Sequence, residues 1–258
     1  MTRATALTIA GSDSGGGAGI QADLKTMHAL GVHGLSVITA ITSQNTRGVT
    51  AVHAVPLTHI RSQLAAVFDD FSMGAVKTGM LGSAAVTRLV AREMRHRQPA
   101  WLVVDPVMIA SSGTRLLAED AIAATVSALI PLAHILTPNL PEAEVLVGAP
   151  IRTADDCHAA AAALRAMGAG AVLMKGGHAE GTTVVDRLYD EHGVMEISHP
   201  RIDREGHGTG CTLASAVAAE LARGNMPRDA VRHAISYVQR AFAASYQPGG
   251  GAVYVLGH

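Results

Sequence analysis

The stretch Gly206-His207-Gly208-Thr209-Gly210-Cys211-Thr212 runs straight into Leu213-Ala214-Ser215-Ala216-Val217-Ala218-Ala219. Glycines permit a tight turn and the Ala/Leu/Val run is strongly helix-forming. Free backbone N–H groups of Gly208, Thr209 and Gly210 are therefore expected to face one point at a helix N-terminus. Partial positive charge there favours a bound phosphate and is expected to lower the pKa of the Cys211 thiol. A cysteine in an Ala-rich helix is ordinarily a small buried filler; its place inside Gly-Thr-Gly-Cys-Thr points instead to a reactive thiol in an anion hole.

Lysine is scarce, with only Lys25, Lys77 and Lys175 among 20 basic residues. Lys175 closes an apolar run before Gly176-Gly177, where its ammonium either reaches a phosphate or simply ends a strand. Asp105, ahead of Pro106, suits water held around Mg²⁺ and equally a strand-end turn. Asn139 and Glu142 suit phosphate and magnesium contacts, with helix capping the simpler reading. Cys157 follows Asp155 and Asp156, whose charge is expected to raise its pKa. The thirteen His residues show no pair at helical metal-ligand spacing, so no zinc site is expected. His207 and His178 lie nearest the Cys211 turn, where solvent or turn positions explain them as well.

Those residues need a scaffold. Ala4–Ala10 reads as a buried strand, 11–17 as a glycine-rich loop and 18–30 as a helix. Strands are expected at 34–41, 74–79, 101–105, 134–136, 171–175 and around 183–185 and 194–197, with a small flap at 48–52. Helices are expected at 57–71, 83–95, 119–129, from 140, at 153–167, and as a closing pair. Repeated β-then-α order with hydrophobic strands implies a mostly parallel sheet covered on both faces. Asp13, Asp105, Asn139, Lys175 and Cys211 each fall at a strand end or helix start, where such sheets bind ligands.

Composition narrows the function. Hydrophobic residues are 48% and charged ones 16%, the latter below the roughly 25% of soluble domains. With no linker or repeat, residues 1–258 read as one domain. Net charge is −1 without a basic run, which argues against nucleic acid as a partner. The uncharged run between Asp120 and Glu142 is long enough to span a bilayer but is interrupted by Pro131, Pro138 and Pro141, so no membrane partner is expected. Two cysteines and a short N-terminal apolar run suit the cytoplasm. A dinucleotide fold fails on glycine spacing and on the lack of Asp or Glu from Leu24 through Phe68, and no lysine stands in a Walker context.

Taken together, Ala10-Gly11-Ser12-Asp13-Ser14-Gly15-Gly16-Gly17-Ala18-Gly19-Ile20-Gln21-Ala22-Asp23, Ser43-Gln44-Asn45-Thr46, Val104-Asp105-Pro106-Val107-Met108, Thr137-Pro138-Asn139-Leu140-Pro141-Glu142, Lys175-Gly176-Gly177-His178 and His207-Gly208-Thr209-Gly210-Cys211-Thr212 are a specific set spread over nearly the whole chain. On them the chain resembles the ribokinase-like superfamily, and within it the hydroxymethylpyrimidine and phosphomethylpyrimidine kinases of thiamine biosynthesis. The resemblance implies a three-layer α/β sandwich, aminopyrimidine alcohols and their phosphates as substrates, ATP and Mg²⁺ as cosubstrates, and a homodimer. It implies that Cys211 stands where most of the superfamily carries an aspartate base, in the hole made with Gly208 and Gly210. It places Gln44, Asp23, Met80 and Gly11 at the substrate, Lys175, Asn139, Thr209 and Asp105 at the nucleotide, and Glu142 with Asp105 at the metal. The tail departs from the family, having Gly249-Gly250-Gly251-Ala252-Val253-Tyr254 in place of Gly-x-Gly-Pro-Val-His.

Phosphoryl transfer needs alignment and charge neutralisation more than covalent chemistry. Cys211 would take the hydroxyl proton in the first transfer; the second starts from an anionic phosphate oxygen and needs no base. A pyridoxine or pyridoxal kinase is the neighbouring alternative, separated only by the lining near Gln44 and Met80. A nucleotide sensor without turnover is the alternative from another class, opposed by the thiol in the anion hole.

Overall fold

The computed structural model describes residues 3–108, 119–178 and 181–258. In chain order these form β1 (Thr5–Asp13), α1 (Gly19–Ala29), β2 (His33–Asn45), β3 (Gly48–Ala54), α2 (Leu57–Asp70), β4 (Ala75–Thr78), α3 (Ala84–Arg97), β5 (Leu102–Val104) and α4 (Glu119–Ala124). There follow β6 (Ile135–Leu136), α5 (Leu140–Val147), α6 (Ala154–Ala166), β7 (Ala171–Met174), β8 (Thr183–Asp190), β9 (Gly193–Pro200), β10 (Gly206–His207), α7 (Thr209–Ala222), α8 (Pro227–Ala243) and β11 (Tyr254–Val255).

Strands β1 to β9 make one sheet in the order β3-β2-β1-β4-β5-β6-β7-β8-β9. The six strands β2, β1, β4, β5, β6 and β7 are mutually parallel. The outer pairings are antiparallel, β3 on β2, β8 on β7 and β9 on β8. Because side chains alternate along a strand, neighbouring residues of each central strand feed different layers. Leu7, Ile9, Val76, Leu102, Val104, Leu136 and Val172 pack with Ile60, Leu64, Val90, Leu146 and Leu164 of α2, α3, α5 and α6. Ala75, Val103, Ile135, Ala171 and Leu173 pack with Leu213, Val217, Ala230 and Ala234 of α7 and α8. Ala6, Met27 and Ala219 seat α1 on that second face. The sheet lies between two helix layers, the ribokinase-like sandwich expected.

Three local outcomes differ from the sequence expectation. β1 continues through the first glycines to Asp13, because after a shift at Ala10/Ser12 the ladder resumes with Ser12 on Ile41 and Asp13 on Thr42. The helix expected at 119–129 ends as an α-helix at Ala124, then widens at Thr125–Leu129 and tightens at Ile130–Leu132, where Pro131 lacks the donor needed to continue it. The short parallel pair β10 and β11, with Gly206 opposite Tyr254 and His207 opposite Val255, was not foreseen.

That last pair gives the unusual tail a structural role. Gly251 N–H donates to Thr46 Oγ1 at 3.0 Å, and a Cβ on Gly251 would stand 2.0 Å from the Thr46 carbonyl oxygen. The tail thus grips the β2–β3 turn before β11 braces the strand that carries His207.

Candidate active site

A cavity of about 660 Å³ opens at the carboxyl ends of the parallel strands. Gly11, Gln44, Met80, Asp105, Asn139, Glu142, Lys175, Gly208, Thr209, Gly210 and Cys211 all line it. Asp23 does not. It is fully buried beneath the site, receiving Thr8 Oγ1 and Ser215 Oγ at 2.5 Å each and Lys77 Nζ at 2.9 and 3.0 Å. The expected substrate contact from Asp23 is corrected: a carboxylate in that position must be paired inside the protein, and Lys77 is its partner.

The anion turn forms as its glycines suggest. Gly208 caps α7 at φ +84°, where a Cβ would meet the Gly17 carbonyl oxygen at 1.9 Å, so only glycine fits. No side chain caps this helix, which leaves first-turn N–H groups for a ligand. Lys175 Nζ lies 3.2 Å from the point a Gly210 Cβ would occupy, placing its ammonium beside the turn.

Lys175 is anchored by Asp105 Oδ1 at 3.0 Å and Glu142 Oε2 at 3.5 Å. Burial works against the ammonium's charge, but the Asp105 and Glu142 carboxylates outweigh it and hold Lys175 protonated. Burial pushes the Glu142 carboxyl up, with Lys175 opposing. Asn139 and Glu142 form a reciprocal capping box at α5, each side chain bonded to the other's backbone N–H at 2.8 Å. Capping and site membership, alternatives in the sequence, coexist because the box fixes Glu142 Oε2 where Lys175 meets it. Asp105 Oδ2 is buried with no partner among the described residues.

Cys211 departs from expectation in charge rather than place. Burial pushes its thiol up to about 11; Lys77 and the Gly19 backbone N–H pull the other way, while Asp23 and Asp105 push further up. The helix N-terminus does not produce a low-pKa thiol here, because two carboxylates and poor solvation surround it. Cys157 is raised as well, mainly by burial and then by Asp156.

The other end of the cavity was only partly legible. His207 Nε2 lies 2.9 Å from Asp13 Oδ2 and 3.1 Å from the Gln44 amide. Asp13 also takes the N–H groups of Gly15, Gly17 and Ala18 at 2.8, 3.0 and 2.8 Å, organising the glycine-rich loop. Met80 Cε stands 2.5 Å from where a Gly11 Cβ would be, so Gly11 makes room for the thioether. His207 lies 194 residues from Asp13; its one sequence signal is its place directly before the anion turn.

Comparison with known proteins accounts for this arrangement. The family model for phosphomethylpyrimidine kinase matches residues 13–255. The chain belongs to the phosphomethylpyrimidine kinase family. A hydroxymethylpyrimidine/phosphomethylpyrimidine kinase of Streptomyces coelicolor is 48% identical over 252 residues, 97% of this chain and 93% of that protein. The thiamine biosynthesis bifunctional protein ThiED of Geobacter sulfurreducens is 46% identical over 96% of this chain, which spans 51% of its length. An ADP complex of Bacillus subtilis pyridoxal kinase superimposes with a TM-score of 0.92 at 37% identity, covering 100% of this chain and 98% of that one.

Proposed function

We propose that this chain, folded as one domain over residues 1–258, phosphorylates hydroxymethylpyrimidine to its monophosphate and then to the diphosphate, with ATP as donor, in thiamine biosynthesis. The observation that carries this reading is the juxtaposition in one cavity of the Gly208–Cys211 turn, the Lys175–Asp105–Glu142 cluster and the pair Gln44 and Met80.

In this reading Gly208, Thr209, Gly210 and Lys175 hold the transferred phosphoryl group, and Asn139 with Asp105 serves the nucleotide. Among the described residues no three His, Cys, Asp or Glu side chains form a metal-binding cluster. The site fits Mg²⁺ in another manner, since Asp105 Oδ2 is orphaned and Glu142 lies beside it; Mg²⁺ takes one or two carboxylates plus phosphate oxygens. When bound, the ion neutralises phosphate charge. Gln44 reads the aminopyrimidine, Gly11 and Met80 shape its slot, and Cys211 receives the alcohol proton late in a loose transfer.

A pyridoxal kinase is the second reading, favoured by the closeness of the Bacillus subtilis fold. Initial rates with ATP and either hydroxymethylpyrimidine or pyridoxal decide: higher kcat/KM on the pyrimidine is expected, and turnover of pyridoxal alone overturns the proposal. We place the protein in the cytoplasm, in keeping with two free thiols and with no described helix long and apolar enough to cross a membrane. Val52 on the β2–β3 hairpin is 51% exposed, and we assign it to a homodimer contact. Sedimentation should show a dimer that Val52→Asp dissociates.

A further inference from the structure

Four groups at the substrate end share too few protons for every arrangement to be possible. His207 Nε2 faces Asp13 Oδ2 at 2.9 Å and, with the amide as placed, Gln44 Nε2 at 3.1 Å. Thr42 Oγ1 faces the Ser12 carbonyl at 3.0 Å and Gln44 Oε1 at 3.1 Å, so that as placed both contacts ask for its one proton. Burial pushes the Asp13 carboxyl up, but the His207 hydrogen bond and the backbone N–H groups of Ala18 and Gly15 outweigh it and keep the group ionised. Asp13 is then an acceptor only, so the facing His207 nitrogen carries a proton. The Ser12 carbonyl is likewise an acceptor only and takes the single hydroxyl proton of Thr42.

With the Thr42 proton committed to Ser12, the amide atom beside Thr42 must donate, and the one beside His207 must then accept, sharing the Nε2–H that also faces Asp13. Amide oxygen and nitrogen are interchangeable in shape, so the proton count decides between them. The opposite orientation would either set N–H against N–H at His207 or set a ring lone pair against a carboxylate. We infer that Gln44 is held with Oε1 on His207 Nε2–H and Nε2 on Thr42, so that His207, steadied by Asp13, is a specificity-determining positioning residue for the donor–acceptor pattern of the substrate.

This inference rests on the reading of the cavity as an aminopyrimidine site. The held amide keeps one lone pair and one N–H for a ligand, with its acceptor on the His207 side and its donor on the Thr42 side. An aminopyrimidine offers the matching pair, an amino donor beside a ring-nitrogen acceptor, and its amino group therefore lies toward His207. The corresponding oxo analogue reverses the pair, presenting a carbonyl beside a ring N–H, and meets like against like. A Gln44 amide free to turn would accept both.

The test has two arms. Two-bond proton–nitrogen spectra of the ligand-free protein read the imidazole directly: a proton on His207 Nε2 is expected, and an unprotonated Nε2 overturns the inference whatever the enzyme phosphorylates. The second arm is the ratio of kcat/KM for the amino alcohol over its oxo analogue, which is independent of the folded fraction because both are measured on one preparation. His207→Phe should lower that ratio at least about tenfold, since unpaired polar groups no longer penalise the wrong pattern. His207→Gln, whose side-chain N–H replaces the lost donor, should restore most of it. An unchanged ratio in His207→Phe overturns the inference. Failure of the wild-type enzyme on both pyrimidines would instead sink the kinase reading, and the spectrum would then decide the amide orientation alone.

Discussion

Cys211 is the residue at which position and chemistry separate. Its place beside the anion turn follows from the sequence, but its thiol is held up to about 11 by burial before any other influence. At neutral pH it is overwhelmingly protonated, so it acts as a base only from its minor thiolate form, after its own proton has left to solvent, and takes the alcohol proton back onto sulfur as the transferring bond forms. Cys211→Ala should therefore slow phosphorylation of the alcohol by about 10²-fold or more, the usual range for a lost general base, and slow phosphorylation of the monophosphate far less. Equal losses, measured as kcat on each substrate, would assign Cys211 to phosphate positioning. The same environment sets its reactivity. Alkylation at Cys211, read by peptide mass mapping, should climb about tenfold per pH unit well past the pH at which an ordinary thiol levels off near 8.5. A plateau below pH 9 would contradict the buried environment.

At the level of elements, the strand-and-helix order, the two-faced burial and the anion turn at the head of α7 were all legible, because they depend on local pattern: apolar runs, Gly-Thr-Gly before alanines, Asn139 three residues ahead of Glu142. Less legible was anything decided by a distant partner. Asp23 looks like a pocket residue in α1 until Lys77 of β4 is seen to occupy it, and His207 looks like a turn residue until Asp13 and Gln44 meet it. The β10–β11 pair was invisible because two residues per strand carry no periodicity. The glycines allow a clean separation of these roles. Gly208→Ala, with φ +84° and a 1.9 Å clash against Gly17, should remove transfer activity and ATP binding together. Gly251→Ala, clashing with Thr46 at 2.0 Å, acts on the tail and should raise KM for the pyrimidine with little change in KM for ATP. Steady-state kinetics varying each substrate separate the two outcomes.

For the molecule as a whole, the buried Lys77–Asp23 pair ties β4, α1 and, through Ser215, α7 under the cavity floor, with both charged side chains at 0% exposure. Burial disfavours the Lys77 ammonium, and Asp23 reverses that and holds it charged. Lys77→Met leaves a carboxylate buried without its cation and should cost roughly 3–5 kcal/mol in urea unfolding. Adding Asp23→Asn should recover a good part of that loss, because an uncharged buried pair avoids the uncompensated charge. No recovery in the double variant would mean that shape, not charge, makes the pair necessary.

The pairing of His207 with Asp13 also fixes a sequence of events in time. Their contact spans 194 residues, and Ser215 reaches Asp23 across 192, so the pocket closes only when opposite ends of the chain have met. Long-range closures of this kind come late in folding. Local helices and hairpins are free to form before these contacts, and the site exists only once they are made. On refolding from urea, catalytic activity should return more slowly than far-ultraviolet ellipticity, and the delay should shorten in the presence of ATP, which favours the last step of assembly.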